Sequence, residues 1–408
     1  MRIGVVGAGI VGPTLAHWLV RGGHAPTLIE RAPRFRAGGY MIDFWGVGYE
    51  VAARMGVLPR LLRVGYDVEE VRFVDGDGRR TGGFPVDVIR RLTGGRFTSV
   101  PRGELARVLY AAIADRVETI FGANVSGIEE KPSGVRIHFA RHAPREFDLV
   151  VGADGLHSVV RRLRFGPQER YERSLGYRVA VFDVEGYRPR DELVSVGHST
   201  PGRLATRFAL RDNRTMVLLV FQERFVSGPE PRDDREAKDL LRRIFADAGW
   251  ECPRLLDAMA EVPDLYFDRV SQIHLPTWSR GRVVLIGDAA ACVSLLAGEG
   301  AGLAMTQAFV LAGELASCDS ASVERALARY ERRLRPLVER KQKAARRFAS
   351  TFTPATRIGI WLRDQATRLM ALPPVARVLI GRNLVDDFEL PTYELPGSVV
   401  DVGRNVAS

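Results

Sequence analysis

The stretch that most restricts the fold lies at the start of the chain. Arg2–Val6 is a short, β-branched apolar run that passes directly into Gly7-Ala8-Gly9-Ile10-Val11-Gly12. Apolar residues then recur at helical spacing (Leu15, Ala16, Leu19, Val20) until Gly22-Gly23, and a second apolar run over 26–29 ends in Glu30, 18 residues after Gly12. Strand, glycine-rich turn, helix, strand and acid in this order describe a dinucleotide-binding βαβ unit. Gly7 permits the tight turn, Gly9 lets the backbone approach a pyrophosphate, and Gly12 lets helix and strand pack closely. The helix N-terminus offers N–H groups and a positive dipole to phosphates. Glu30 is placed to accept hydrogen bonds from two ribose hydroxyls, which disfavours a 2′-phosphate, so FAD or NAD is expected rather than NADP. Residues 7–12 with Glu30 and the adjoining Arg31 form the first group of candidate cofactor-binding residues.

Two later segments repeat the grammar of a strand ending in glycine and aspartate. Residues 148–161 read DLVVGADGLHSVVR, with Asp154 after an apolar run and Ser158 and Arg161 following at helical spacing. Residues 282–290 read RVVLIGDAA, so that Gly287-Asp288 closes another buried parallel-strand pattern. Gly298, Gly300 and Ala301 then lead into a long helix expected over 303–316. An aspartate at the end of a strand, ahead of a glycine-rich helix start, can bind ribityl hydroxyls and leave N–H groups facing a flavin.

Taken together, the three motifs resemble those of the class A (single-component) FAD-dependent aromatic hydroxylases, among them para-hydroxybenzoate hydroxylase-like enzymes and tetracycline-inactivating monooxygenases. The resemblance covers roughly residues 1–345. It implies an α/β fold: a Rossmann-type FAD domain (1–63, 99–170 and 273–328) interrupted by a β-sheet substrate domain (64–98 and 171–272), with C-terminal helices and a tail over 329–408. It also implies FAD as resident cofactor and NADPH or NADH as a transient reductant without a dinucleotide domain of its own. O2 would add to flavin C4a, and the peroxide would transfer one oxygen to an aromatic or polycyclic small molecule. The flavin carries that chemistry, so no catalytic side chain and no metal site are expected. By the same resemblance Arg102 reaches the FAD pyrophosphate and ribityl region, Asp43 contacts FAD, Arg36 contacts NADPH, and Val125 lies against the adenine. Asp154 and Arg161 serve FAD pyrophosphate and NAD(P)H, and Asp288 holds the ribitol. Four positions depart from the family pattern: Ala291, Leu295, Glu299 and Gly302. Glu299 is expected to point away from the flavin, because a carboxylate there would disfavour an anionic reduced ring.

Between about 171 and 272 the pattern turns to alternating strands over 176–184, 193–197, 204–210 and 215–222, with a helix over 233–248. Tyr177, Arg207, Met216 and Phe221 are the candidate substrate-pocket residues. A second amphipathic helix over 355–372 carries Ile358, Trp361, Leu362 and Leu369 on one side, and the resemblance implies that it closes over the substrate domain.

The chain of 408 residues carries 59 Lys plus Arg against 49 Asp plus Glu. Residues 329–347 alone hold nine basic and two acidic residues, so +7 of the net +10 lies in one segment. A solvated helix, interrupted at Pro336, is expected there, and no nucleic-acid partner. Three scattered cysteines give no disulfide framework or metal spacing. No apolar stretch is long enough to span a membrane, and the N-terminal run lacks a cleavage site, so a cytoplasmic protein is expected. Oligomeric state is not legible. A flavin-dependent halogenase is disfavoured, because the only lysines are Lys131, Lys238, Lys341 and Lys343, none beside a flavin motif in sequence, and no WxWxIP motif occurs. An FAD-dependent reductase of the geranylgeranyl type and a non-catalytic flavin-fold binding protein stay as alternatives.

Overall fold

A computed structural model of the chain describes residues 1–35, 40–316, 318, 322–377 and 388–394. The first apolar runs form a six-stranded sheet whose central strands are parallel. Arg2–Val6 lies between Ala25–Ile29 and Leu149–Gly152, and Val283–Leu285 lies beyond Leu149–Gly152. Glu118–Ile120 and the short antiparallel Ser279–Arg280 complete the two edges. These strands are buried on both faces, which explains why they read as continuous β-branched runs rather than alternating ones. Parallel pairing also brings their C-terminal ends together. Gly7, Glu30, Asp154 and Asp288, each just after a strand, therefore stand along one edge of the sheet.

A seven-stranded, mostly antiparallel sheet is assembled from Glu70–Val74, Arg80–Pro85 and four strands between Glu172 and Gln222, closed by Tyr266–Ile273. Its one parallel pairing joins Val194–Thr200 to Glu70–Val74. Period-2 alternation divides its side chains cleanly. Ala180, Phe182, Ala205, Val217, Leu219 and Phe221 pack against the helices Asp234–Phe245 and Cys252–Ala260. Tyr177, Val179, Val181, Leu204, Phe208, Met216 and Val220 form a separate cluster that includes Leu296 from the third motif. The sheet therefore presents one face to its own helices and the other toward the segment after Asp288 and the residues Tyr40, Met41 and Trp45.

Gly300–Ala316 is buried along nearly its whole length, against Val11–Arg21 and Gly46–Arg54. The crossing with Gly46–Arg54 is so close that a Cβ on Gly48 would collide with the Cα of Gly302. The crowding falls on position 48 alone: a Cβ on Gly302 would come no closer than 3.5 Å to any neighbour, so the crossing does not explain the departure at 302.

The basic segment differs from expectation. Val323–Phe352 is one 30-residue helix that continues through Pro336, with Tyr330, Leu334, Leu337 and Val338 buried against the core. Apolar burial on either side of the proline compensates for the backbone hydrogen bond it cannot donate. Arg357–Leu369 does pack on the substrate sheet, but with its polar side. Thr367 Oγ1 accepts the Gly83 N–H of the edge strand at 3.0 Å, and the Arg363–Asp364 pair at 2.7 Å is buried there. An edge strand carries unpaired backbone groups, and a polar helix face satisfies them where an apolar one could not. No helix among the described residues is long and apolar enough to cross a membrane.

Substitution Gly48→Ala is expected to destabilise the protein by about 1–3 kcal/mol through overpacking of this crossing. Denaturant titration checks this; an unchanged midpoint would mean that the two helices can separate without loss.

Candidate cofactor and substrate site

At the first motif, Gly7 has φ of 109°, and a Cβ there would strike the carbonyl oxygen of Ala153. A Cβ on Gly12 would strike the carbonyl oxygen of Gly7 itself. Gly9 is different. The nearest atom to a Cβ at that position is Nη2 of Arg102, at 3.9 Å, so the turn leaves open space bordered by a guanidinium. Ala8 sits between these glycines, and Ile10 and Val11 open the helix, whose first N–H groups face that space. Glu30 accepts the Ala8 N–H at 2.9 Å and the Ala32 N–H at 2.8 Å. These bonds fix the carboxylate on the turn and leave further lone pairs for a ribose. The Ala123 N–H donates to the Glu30 carbonyl at 3.0 Å, which brings half-buried Val125 to the same side; Arg31 is exposed on the following loop.

At the second motif the side chains are spent on the protein. Asp154 accepts from the Ser158 hydroxyl at 2.5 Å and from the N–H groups of Val159 and Val160 at 2.7 and 3.1 Å. It caps a short helix; burial raises its pKa, and these bonds oppose the rise. Arg161 is fully buried and donates to the carbonyl of Ala289 at 3.0 Å, to that of Leu156 at 2.5 Å and to Gln168 at 2.9 Å. It thus ties the second motif to the residue that follows Asp288.

At the third motif the Gly287 N–H donates to Gln307 Oε1 at 2.9 Å, and the Tyr330 hydroxyl donates to the same oxygen at 2.9 Å. Burial raises the pKa of Asp288, while the charge of Arg102 and the Cys292 thiol pull it back. Gly298, with φ of 70°, precedes the helix that Gly300 and Ala301 begin. A Cβ on Gly300 would lie 4.0 Å from Asp288 Oδ1, so that helix start stands beside the carboxylate.

Around this edge are groups that are deep in the protein yet accessible. Asp43 accepts the Ser99 hydroxyl at 2.6 Å; its carboxyl is exposed, while surrounding protein raises its pKa. Tyr266 is 37% exposed, although burial holds its hydroxyl well above the usual phenol range. Its neighbour Tyr40 is pushed up to about 12 by burial, against the opposing charge of Arg102. The residues along this edge suit FAD: an uncrowded glycine beside the Arg102 guanidinium for the pyrophosphate, an acid for the ribose and an acid for the ribitol. Arg36 lies outside the described residues.

Strand parity separates the four substrate candidates. Tyr177 and Met216 lie on the face turned toward the third motif. Phe221 is fully buried on the opposite face, 6.1 Å from the ring of Phe245. Arg207, also on that face, is paired with Glu251 and Asp191 at 2.8 Å each. Phe221 and Arg207 therefore do not share the face that holds Tyr177 and Met216. Phe221 and Met216 are five residues apart on one strand, so they cannot share a face.

Two features were not found by sequence reasoning. Lys341, 42 residues beyond Glu299, meets it at 2.9 Å beside Asp43 and Trp45. A lysine therefore does stand at a flavin motif, brought there by the long helix, and Glu299 is neutralised rather than simply turned away. In the second motif, His157 meets Asp268 at 2.9 Å, and the Tyr266 hydroxyl donates to the same carboxylate at 3.3 Å. The His157 position within the motif was the only signal, because its partner lies 111 residues away.

The chain matches the model of a family described as "FAD binding domain" over residues 1–345. It is 32% identical over 409 residues to a flavin-dependent monooxygenase from an unknown prokaryotic organism, covering 97% of this chain and 99% of that one. An uncharacterized protein of Mycobacterium tuberculosis is 37% identical over 343 residues, 83% of this chain and 91% of the relative. The crystal structure of the tetracycline destructase Tet(51) superimposes with a TM-score of 0.81 at 29% identity, over 96% of this chain and 99% of that chain.

Replacing Asp288 with Ala is expected to weaken FAD binding by about tenfold or more, the loss of a charge-assisted hydrogen bond. Fluorescence titration of apoprotein with FAD measures it, and an unchanged Kd would remove Asp288 from the site. The His157–Asp268 bond raises the imidazole pKa above 6.5, partly offset by burial. A raised folded-state value stabilises the fold below the unfolded value, and this stabilisation disappears as pH rises through the shifted one. The NMR titration midpoint of His157 should lie above 6.5 and fall in Asp268→Asn; equal midpoints in both proteins would mean that the pair does not form in solution.

Proposed function

The chain belongs to the FAD-binding-domain family and is an FAD-dependent monooxygenase; on that premise we propose that it uses NAD(P)H and O2 to hydroxylate an aromatic or polycyclic small molecule. The observation that carries the reading is the shared apolar wall. One face of the seven-stranded sheet (Tyr177, Leu204, Phe208, Met216) packs in a single cluster with Leu296, and half-buried Tyr40, Trp45 and Leu295 border it. A substrate held against this wall would lie beside Leu295 and Leu296, seven and eight residues after Asp288.

FAD held there would supply the redox chemistry, two-electron reduction by NAD(P)H and activation of O2. The side chains bind and orient. Glu30 and the first helix would hold the adenosine diphosphate, Arg102 would balance its negative charge, and Asp288 would hold the ribityl chain. The apolar wall keeps water from the reacting centre, where it would divert reduced cofactor into hydrogen peroxide. The polycyclic part of the proposal rests on the extent of this wall and on the tetracycline destructase whose fold the chain shares.

The test is to purify the flavoprotein and follow NADPH oxidation, O2 uptake and hydroxylated product with a panel of simple and polycyclic phenols. Substrate-stimulated oxidation with equal O2 uptake and product supports the reading, whereas alkene reduction without O2 uptake replaces it with a reductase. Met216→Ala should raise KM by about tenfold, beside a stability cost of about 2–5 kcal/mol for a buried side chain. Phe221→Ala should cost about 3–5 kcal/mol of stability and leave KM unchanged. Reversed effects would exchange the two faces of the sheet.

A further inference from the structure

The helix Arg357–Leu369 is amphipathic the wrong way round for a protein surface. Its inner side is polar: Arg363, Asp364 and Thr367 are buried, Arg363 lying over the ring of Phe73 at 3.9 Å. Gly82 makes the seat, since a Cβ there would come within 2.8 Å of the Asp364 backbone. The outer side is apolar. Ile358, Trp361, Leu362, Leu369 and the following Leu372 are 71%, 59%, 56%, 53% and 54% exposed. At 3.6 residues per turn these positions fall within one stripe along a helix of about 20 Å. Single exposed apolar residues are ordinary on a protein surface, but a continuous stripe of large ones marks an interaction surface.

The charges on this helix favour one occupant. Arg357 and Arg368 are exposed and eleven residues apart, close to three whole turns, so they form a line along one margin of the stripe. Arg377, just beyond, is exposed as well. The helix has a single acid, Asp364, and it is buried against Arg363. Pairing this face with the same face of a second copy would bring two lines of arginines together without an acid to meet them, on chains that each carry +10. An anionic lipid surface matches both features. Apolar side chains enter the acyl boundary, Trp361 sits at headgroup depth, and the arginines meet phosphates.

We propose that the outer face of Arg357–Leu369 docks the protein on the surface of an anionic membrane, without spanning it. The helix rests on Arg80–Pro85, the edge strand of the substrate sheet, so docking holds that sheet against the bilayer. The inference is independent of which reaction the protein performs.

The test uses the full-length FAD-loaded protein and two kinds of vesicle: phosphatidylcholine alone, and equal parts phosphatidylcholine and phosphatidylglycerol. Co-sedimentation is expected with the anionic vesicles at low salt and should be at least about tenfold weaker with phosphatidylcholine alone. The double variant Trp361→Ser/Leu369→Ser should lose about a hundredfold in vesicle affinity, because two large apolar side chains no longer leave water. Arg357→Gln/Arg368→Gln should lose the preference for anionic lipid. All of these side chains are exposed, so FAD content and melting temperature should be unchanged, which separates a binding defect from misfolding. Absence of binding to anionic vesicles at low salt overturns the proposal, as does undiminished binding by the Trp361→Ser/Leu369→Ser protein. A wild-type dimer in sedimentation velocity that the same double variant dissociates would give the face to a second copy instead.

Discussion

Two backbone contacts set the geometry of the cofactor half. Gly7 approaches the carbonyl of Ala153, and Gly12 approaches the carbonyl of Gly7, each too closely to admit a Cβ. The first contact fixes the end of Arg2–Val6 against the end of Leu149–Gly152, and the second sets the first helix directly over the turn. Once those two are set, parallel register places Glu30 on one side and Asp288 on the other. Arg161 extends the constraint, because its hydrogen bond to Ala289 ties the second motif to the third. The cofactor cradle is thus one mechanically continuous edge rather than three separate loops.

Charge is managed in the same region by pairing across long sequence distances. A carboxylate left alone in such surroundings would have to take up a proton. Asp288 has Arg102 nearby, Glu299 has Lys341, and buried Glu314 receives Arg329 and Arg333. Three of these four cations come from the basic helix that holds most of the net positive charge. A segment that in sequence resembles a patch for an external polyanion serves in part as a clamp on the acids of the cofactor domain. Arg335 of the same helix binds Glu331 and the carbonyls of Leu275 and Pro276, which ties the loop after Tyr266–Ile273 to the helix.

The cofactor half was legible because its signals are local. A glycine forced by a backbone contact, an acid at a strand end and an apolar buried strand each declare themselves within a few residues. The parts that were missed depend on distance. Nothing near Glu299 announces Lys341, and nothing near His157 announces Asp268. Pro336 suggested a break, yet tertiary burial on both sides keeps the helix whole, a case of packing outweighing local propensity. The two faces of the substrate sheet are legible in a different way: strand periodicity alone keeps Phe221 off the face that carries Met216, Leu218 and Val220.

The sheet itself carries a consequence for selectivity. Two buried cations, Arg178 and Arg207, face its helices and are already engaged: Arg178 with Glu230 at 2.5 Å and Arg207 with Glu251 and Asp191. The opposite face holds an apolar cluster with Tyr66 and Tyr177 among its polar-tipped members, and an ion pair along the two central strands, Asp183 with Arg214 at 3.2 Å, lies at their end. A wall of that kind discriminates through shape, at about 1–3 kcal/mol for each methylene gained or lost, whereas a site built on buried hydrogen-bonding groups rejects analogues far more strongly. Fixed backbone contacts shape the cofactor edge, whereas under the proposed function the apolar cluster would receive the substrate by contour. The substrate's identity is therefore written in the volume between two halves of the chain that the sequence keeps far apart, and no short motif could spell it.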